Sequence, residues 1–122
     1  MLIQKLPEFL TELEKAVLAY LLQGDSEETQ ILLEQLTSSA LKSRKYTGCG
    51  FFTDFDIHDK ARRCERKDFE LGQVIISLSG QDCGFLLFVR EGQIAFLEGY
   101  TFGVNEWPLS ETIEKVSGFS SC

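Results

Sequence analysis

The sequence is poor in the residues that most often hold metals or attack substrates. It contains one histidine, His58, and four widely spaced cysteines with no C-x-x-C pair. This spacing excludes a zinc knuckle and a thioredoxin-like redox motif. Widely spaced cysteines in a cytosolic chain are most often free thiols, and we expect Cys49 and Cys83 to be small fillers of the core.

The motifs of several common enzyme classes are also missing. There is no G-x-x-x-x-G-K-[ST], no G-x-G-x-x-G opening a helix, no H-E-x-x-H and no G-x-S-x-G. Their absence excludes the usual phosphate loop, dinucleotide fingerprint, zinc hydrolase and serine hydrolase devices. Gly48-Cys49-Gly50 is too short for a phosphate loop and indicates a corner before a strand. We therefore assign no catalytic residue, cofactor or metal from the sequence, which favours a function other than catalysis.

No apolar run approaches the roughly 20 residues that span a bilayer. The first residues carry acids where a signal peptide has its apolar region, so we expect a cytoplasmic protein without membrane association. A net charge of -7 argues against general affinity for nucleic acid or anionic lipid. At 122 residues and 43% hydrophobic composition, the chain predicts one globular domain.

The most informative stretch that is present runs from Cys83 to Gly103. Two apolar runs flank Glu91-Gly92, and a glycine there supplies the positive φ of a primed hairpin turn. We predict a β-hairpin in which Arg90 faces Gln93. Regular pairing would put one set of side chains on each face: Phe85, Leu87, Val89, Ile94, Phe96 and Glu98 on the first, and Leu86, Phe88, Ala95 and Leu97 on the second. Both faces are largely apolar and both need a cover.

The remaining periodicity predicts an α+β fold. Residues 7 to 43 contain two amphipathic patterns separated by Gly24, residues 51 to 57 and 73 to 78 alternate as strands, and residues 107 to 117 suit a Trp-Pro segment with a short helix. We predict a single domain over residues 1–122. Its architecture would be an N-terminal antiparallel helical hairpin packed on a four-stranded antiparallel β-meander at about residues 49–102.

Two polar constellations suggest chemistry. Asp54, Asp56 and His58 are spaced two apart, which places three possible metal ligands on one face of a strand. The alternative is a solvated strand face, because no second cluster completes the ligand shell. His58 and Cys64 share one polar connection, but thiolate chemistry needs both groups within hydrogen-bond reach.

Charge is distributed unevenly along the chain. Eight of the twelve Lys and Arg residues lie between Lys42 and Lys67 with four acids, so that this stretch carries +4. It could steer an acidic partner or contact phosphates. The alternative is cations at a helix C-terminus followed by a solvated loop, and aromatic residues do not interleave with the loop cations as in single-stranded nucleic-acid sites.

The segments TGCGFFTDF and GFLLFVREGQIAFLEGYTFG and the following Trp-Pro carry a resemblance. With them, most of residues 10 to 108 resembles a family of small uncharacterised bacterial proteins that have an N-terminal helical pair. The resemblance implies a bacterial, intracellular, stand-alone domain and assigns no activity.

Two functional hypotheses follow. The first is a protein-interaction domain, of the immunity or regulatory type, that binds a protein partner or a second copy of itself; a homodimer through Leu86, Phe88, Ala95 and Leu97 is its simplest form. The second is a small-molecule-binding domain or minor enzyme with a pocket near Glu98, Tyr100 and Trp107. Glu98 enters both, because a carboxylate among apolar neighbours must find a partner, reach water or accept a raised pKa.

Overall fold

A computed structural model of the chain describes residues 6–103 and 105–119. Two helices, α1 (Glu12–Leu21) and α2 (Glu27–Thr37), precede a sheet of antiparallel strands. The strands are β1 (Ala40–Tyr46), β2 (Gly50–Asp56), β3 (Phe69–Leu78), β4 (Gln81–Arg90), β5 (Gln93–Thr101) and β6 (Ile113–Phe119). The predicted α+β class with an antiparallel sheet is confirmed, but the sheet has six strands where four were predicted.

The order of the strands across the sheet is β1-β2-β5-β4-β3-β6. This order is not a meander, because β5 inserts between β2 and β4 and pairs with both. The hairpin of β4 and β5 therefore lies at the centre of the sheet, whereas the predicted meander would have put it at one end. Neither described helix is long and apolar enough to cross a membrane.

Both helices lie on the same face of the sheet, α1 against β3 and β4 and α2 against β5. Thr11 begins α1 with a capping box shared with Glu14, and Ser26 begins α2 by accepting from the Thr29 N–H. The buried side chains of both helices join those of β2 to β5 in a single apolar core. Its fully buried members include Val17, Leu36, Phe85, Leu87 and Leu97.

Two buried polar side chains tie the helices to the sheet. Glu14 on α1 accepts from Arg44 Nε at 2.9 Å and from Arg44 Nη2 at 2.6 Å, and also from the Thr53 hydroxyl. Gln35 on α2 donates to the carbonyls of Arg62 and Gly92 at 2.8 and 2.9 Å. Its Oε1 accepts from Ile94 N–H at 2.9 Å, so its amide is paired on both sides.

Two segments predicted as helix are strands. Lys42, Arg44 and Lys45 were assigned to the end of the second helix, but α2 ends at Thr37 and these cations lie in β1, an edge strand. An edge strand with one solvated side tolerates a polar sequence, so β1 shows little strand periodicity. The predicted helix within residues 107–117 is likewise replaced by β6, which pairs with β3. The first helix also begins later than predicted, at Glu12.

The central turn has the predicted geometry. Glu91 and Gly92 have φ of 53° and 76°, as a type I′ turn requires, and Arg90 pairs with Gln93. The pairing beyond the turn differs from the prediction, because the register shifts between Val89, which pairs with Ile94, and Phe88, which pairs with Phe96. Ala95 is thus an extra residue, a β-bulge. Because the register shifts by one residue, each side chain of β5 after Ala95 shares a face with the other set of β4 side chains from the one predicted.

Candidate functional site

The two faces of the sheet have different surroundings. One face is buried under the helices, and no element of residues 6–103 and 105–119 lies over the other, which we call the open face. Its apolar and aromatic side chains are half-buried and surround one glutamate. The members of the open face at the centre of the sheet are Phe52, Ile75, Leu86, Phe88, Phe96, Glu98 and Tyr100.

An aromatic row crosses the open face from β2 to β4. The rings of Phe88 and Phe96 stack with their centroids 4.5 Å apart, and Phe52 meets Phe96 edge-on at 5.8 Å. The Arg90 guanidinium lies 5.3 Å from the Phe88 ring centroid and donates to the Val89 carbonyl at 2.8 Å. Ring pairs of this kind contribute about 0.5–1.5 kcal/mol beyond their burial. The row is therefore held in a defined shape without a cover.

Glu98 lies within this apolar surface and not at its margin. On its own strand it is flanked by Phe96 and Tyr100, and the residues directly opposite are Phe52 on β2 and Leu86 on β4. Among the described residues its carboxylate has no ion-pair or hydrogen-bond partner. Burial raises the pKa of Glu98, because apolar neighbours disfavour the charged form.

The bulge at Ala95 corrects the predicted faces of the hairpin. Leu97 was predicted to share an association face with Leu86 and Phe88, but its side chain is 0% exposed beneath the helices. Glu98, predicted on the opposite face, instead joins Leu86 and Phe88 on the open face. Sequence reasoning missed Phe52 and Phe96 as site residues. The TGCGFFTDF alternation placed Phe52 away from the core, and that was the available signal.

Glu98, Tyr100 and Trp107 do not line a common pocket. Trp107 packs on the helix-covered side, edge-on to Phe51 and Phe85 at 5.2 and 6.1 Å. Tyr100 stays with Glu98 on the open face, where its ring lies over Gly84 and its hydroxyl accepts from the Gln73 amide. The predicted trio is thus divided between the two faces of the sheet.

Trp107 belongs to a separate surface cavity of about 520 Å³, which is also lined by Tyr46, Leu109 and Glu111. One Glu111 oxygen accepts from the Trp107 indole at 2.9 Å and from the Tyr46 hydroxyl at 3.1 Å. Burial and the Glu111 charge raise the pKa of Tyr46 to about 12. The polar groups of Tyr46, Trp107 and Glu111 are thus hydrogen-bonded to each other, and we assign them a structural role.

The Asp54, Asp56 and His58 set does not converge. Asp54 accepts from the Ser43 hydroxyl at 2.9 Å, and His58 Nδ1 accepts from the Lys60 N–H at 3.0 Å. Across the described ranges, no three His, Cys, Asp or Glu residues are grouped closely enough to hold a metal ion.

The cysteines also have surroundings that differ in part from those expected. Cys49 is exposed, so its assignment to the core was wrong, whereas Cys83 is buried as predicted. Cys64 is buried as well, and burial raises the pKa of its thiol, followed by the charge of Glu28. A raised thiol pKa disfavours the thiolate that nucleophilic chemistry with His58 would need.

The basic stretch from Lys42 to Lys67 is divided between β1 and the connection to β3. Its arginines are largely paired: Arg44 with buried Glu14, Arg62 with Glu34, and Arg66 with Glu28 through two bonds of 2.9 and 3.1 Å. Because these cations face acids of the helices, the stretch attaches the connection to the helical layer.

Comparison with known proteins provides no relative to guide the interpretation. No family model matches the chain, and no curated protein or solved structure shows significant similarity to it. The resemblance to small bacterial proteins therefore stays a prediction.

Proposed function

We propose that this chain is a protein-interaction domain that binds a protein partner through the open face. The observation that carries the proposal is the half-buried aromatic and aliphatic surface around Glu98, which no described element covers. Each Å² of apolar surface removed from water contributes about 25 cal/mol, so covering such a surface favours association. Contiguous apolar surface framed by charge is typical of protein-binding sites.

The shape of the surface favours a protein over a small molecule. Small ligands are held in concave pockets that enclose most of their surface. The one side of a sheet that surrounds Glu98 is not such a pocket, and a cavity of about 410 Å³ lined by Asp54, Arg90 and Phe96 lies toward one end of the face without including Glu98. Phe52, Phe88 and Phe96 form a row across three strands, and aromatic residues are enriched at the centres of protein interfaces. Binding of this kind suits a regulator or an immunity-type inhibitor, which acts by complementarity without bond chemistry.

The proposal is tested by capturing partners on the full-length chain in cells of its own source. Phe96→Ser interrupts the aromatic row, and Tyr46→Ser removes an exposed aromatic side chain from outside the open face. We expect one protein to be captured in stoichiometric amount by the wild type and by Tyr46→Ser, and at least about tenfold less by Phe96→Ser, a difference of about 1.4 kcal/mol. Chemical crosslinks between the captured protein and this chain should map to the open face.

Thermal melting first establishes that both variants are folded. A captured protein that Phe96→Ser retains fully, crosslinks confined to other surfaces, or no stoichiometric partner would each overturn the proposal. Light scattering on the purified chain adds one further outcome: a dimer that Phe96→Ser dissociates would identify the partner as a second copy.

A further inference from the structure

The further inference concerns the chemistry of the partner, and it rests on the proposed function. Glu98 has apolar or aromatic neighbours in all four directions on the sheet: Phe96 and Tyr100 along β5, and Phe52 and Leu86 across it. A charged group in such surroundings is stabilised by a partner group of opposite charge that donates hydrogen bonds to it as the interface excludes water. The partner of an interface centred on Glu98 must therefore supply a donor to the carboxylate.

The cations within residues 6–103 and 105–119 do not meet that need. Arg90 shares the open face, but its guanidinium lies over the Phe88 ring and donates to the Val89 carbonyl. Lys45 pairs with Phe52 across β1 and β2, so that the Phe52 ring position separates it from Glu98. The acids that the strand register places on the face are Asp54, Asp56, Glu70 and Asp82, and the further cation it places there, Lys115 on β6, lies three strands away from β5. The whole chain carries -7, which favours a basic partner.

We infer that the partner presents an arginine side chain to the open face, with its guanidinium on the Glu98 carboxylate and against the neighbouring aromatic rings. A guanidinium is planar, stacks on aromatic faces and donates two parallel hydrogen bonds to one carboxylate. It is also less strongly hydrated than an ammonium, so it enters an apolar surface at lower cost. Phe52 and Phe96 supply the rings and Glu98 the acceptor within one patch.

The test measures binding of short peptides to the full-length protein by the backbone amide shifts in NMR spectra. The probes are acetyl-Leu-Arg-Leu-amide and the matched peptides with citrulline, which has the shape of arginine without its charge, or with lysine. The protein variants are Glu98→Gln and Glu70→Gln. Glu70 lies opposite Phe88 on the same face but is exposed. Glu70→Gln therefore removes an equal charge from outside the proposed arginine-binding position.

The arginine peptide should shift the amides of Phe52, Leu86 and residues 96–100 at millimolar concentration. Its affinity should fall at least about tenfold with citrulline or with Glu98→Gln, and change less than about twofold with Glu70→Gln. Equal binding of the arginine and citrulline peptides, indifference to Glu98→Gln, or no shifts on the open face would overturn the inference. A lysine peptide that binds as tightly would overturn the assignment to arginine.

These outcomes are separable from failure of the proposed function. Equal binding of charged and neutral peptides at the open face removes the arginine and leaves the protein-binding proposal intact. A captured partner that Phe96→Ser does not release removes the binding face itself, whatever the peptides do.

Discussion

At the scale of single residues, two glutamates occupy opposite faces of the sheet in opposite electrostatic conditions. Glu14 is 1% exposed beneath the helices and receives hydrogen bonds from Arg44 and Thr53. Glu98 lies on the open face without a partner among the described residues. Each member of a buried ion pair is needed for stability, because the loss of one partner leaves the charge of the other uncompensated. An unpaired charge among apolar groups opposes folding. A role in binding a partner therefore explains Glu98 better than a role in stability.

The Glu14 side chain should be critical for stability. Glu14→Gln keeps the size of the side chain but leaves the Arg44 charge without its partner, so we expect the free energy of unfolding to fall by about 3 kcal/mol. Urea denaturation measures the change. Glu12→Gln, at an exposed position of the same helix turn, is the control and should change stability by less than about 0.5 kcal/mol. Equal effects of the two variants would contradict the role given to the buried pair.

Glu98→Gln should have the opposite effect at neutral pH. Burial raises the pKa of Glu98, so the folded protein binds this proton more tightly than the unfolded chain. The protein therefore gains stability as the pH falls through the folded pKa and loses it as the pH rises. Glu98→Gln should be more stable than the wild type at pH 7, with a difference that shrinks on acidification. Urea denaturation at several pH values tests this, and a variant less stable than the wild type at pH 7 would refute it.

At the scale of elements, the central hairpin is fixed by its turn and by what touches the turn. Gly92 has a positive φ, its N–H donates to the Lys67 carbonyl, and its carbonyl accepts from the Cys64 N–H and the Gln35 amide. The second tight turn, at Ser79-Gly80, has nearly the same backbone, with φ of 77° at Gly80. It lacks the close neighbours, since a Cβ at Gly80 would meet nothing within 4 Å.

This pair of turns permits a matched comparison. Gly80→Ala should cost about 1–2 kcal/mol, the usual penalty for a side chain in the left-handed region. Gly92→Ala pays the same penalty, and its Cβ would also lie 2.6 Å from the Cys64 carbonyl oxygen, so the polar connection must move. We expect Gly92→Ala to be clearly the more destabilised of the two in thermal unfolding. Equal melting temperatures would show that the contact with Cys64 is easily relieved.

The elements that sequence reasoning predicted are those with strong local signals. The hairpin turn at Glu91-Gly92, the two helices and the cores of β2 and β3 follow from glycine position and apolar period. Strands β1 and β6 were missed because edge strands need no apolar alternation and β1 continues the polar end of a helical pattern. The bulge at Ala95 was also missed, because nothing in a run of apolar residues marks the extra one. That single residue decided which face Glu98 occupies.

At the scale of the whole molecule, one layer of helices covers one side of a six-stranded sheet. Such a two-layer arrangement leaves the second side of the sheet to solvent or to another molecule. The candidate site is a property of this arrangement, because Phe52 on β2 meets Phe96 and Leu86 of the central hairpin only in the folded sheet. Sequence reasoning identified Glu98 as unusual, but Phe52 became its neighbour only through the strand order and Leu86 only through the bulge at Ala95.

Glu98 should also keep copies of the chain apart. Glu98→Leu would join the surrounding side chains into an uninterrupted apolar surface, which favours association of like faces. We expect sedimentation equilibrium to show a shift toward dimers relative to the wild type. Glu70→Leu, at an exposed position on the same face, should shift the distribution much less. If both variants sediment as the wild type does, Glu98 is not what prevents the open faces of two copies from associating.

The position of β5 between β2 and β4 has a consequence for synthesis on the ribosome. β2 is finished at Asp56, but its second neighbour begins only at Gln93, after β3 and β4 have been made. A nascent chain released as far as Arg90 can form two separate pairs, β1 with β2 and β3 with β4, each with an unsatisfied edge. Both edges are closed at once when the two turn residues and the nine residues of β5 have followed, so the two pairs are joined into one sheet only after β5 leaves the exit tunnel.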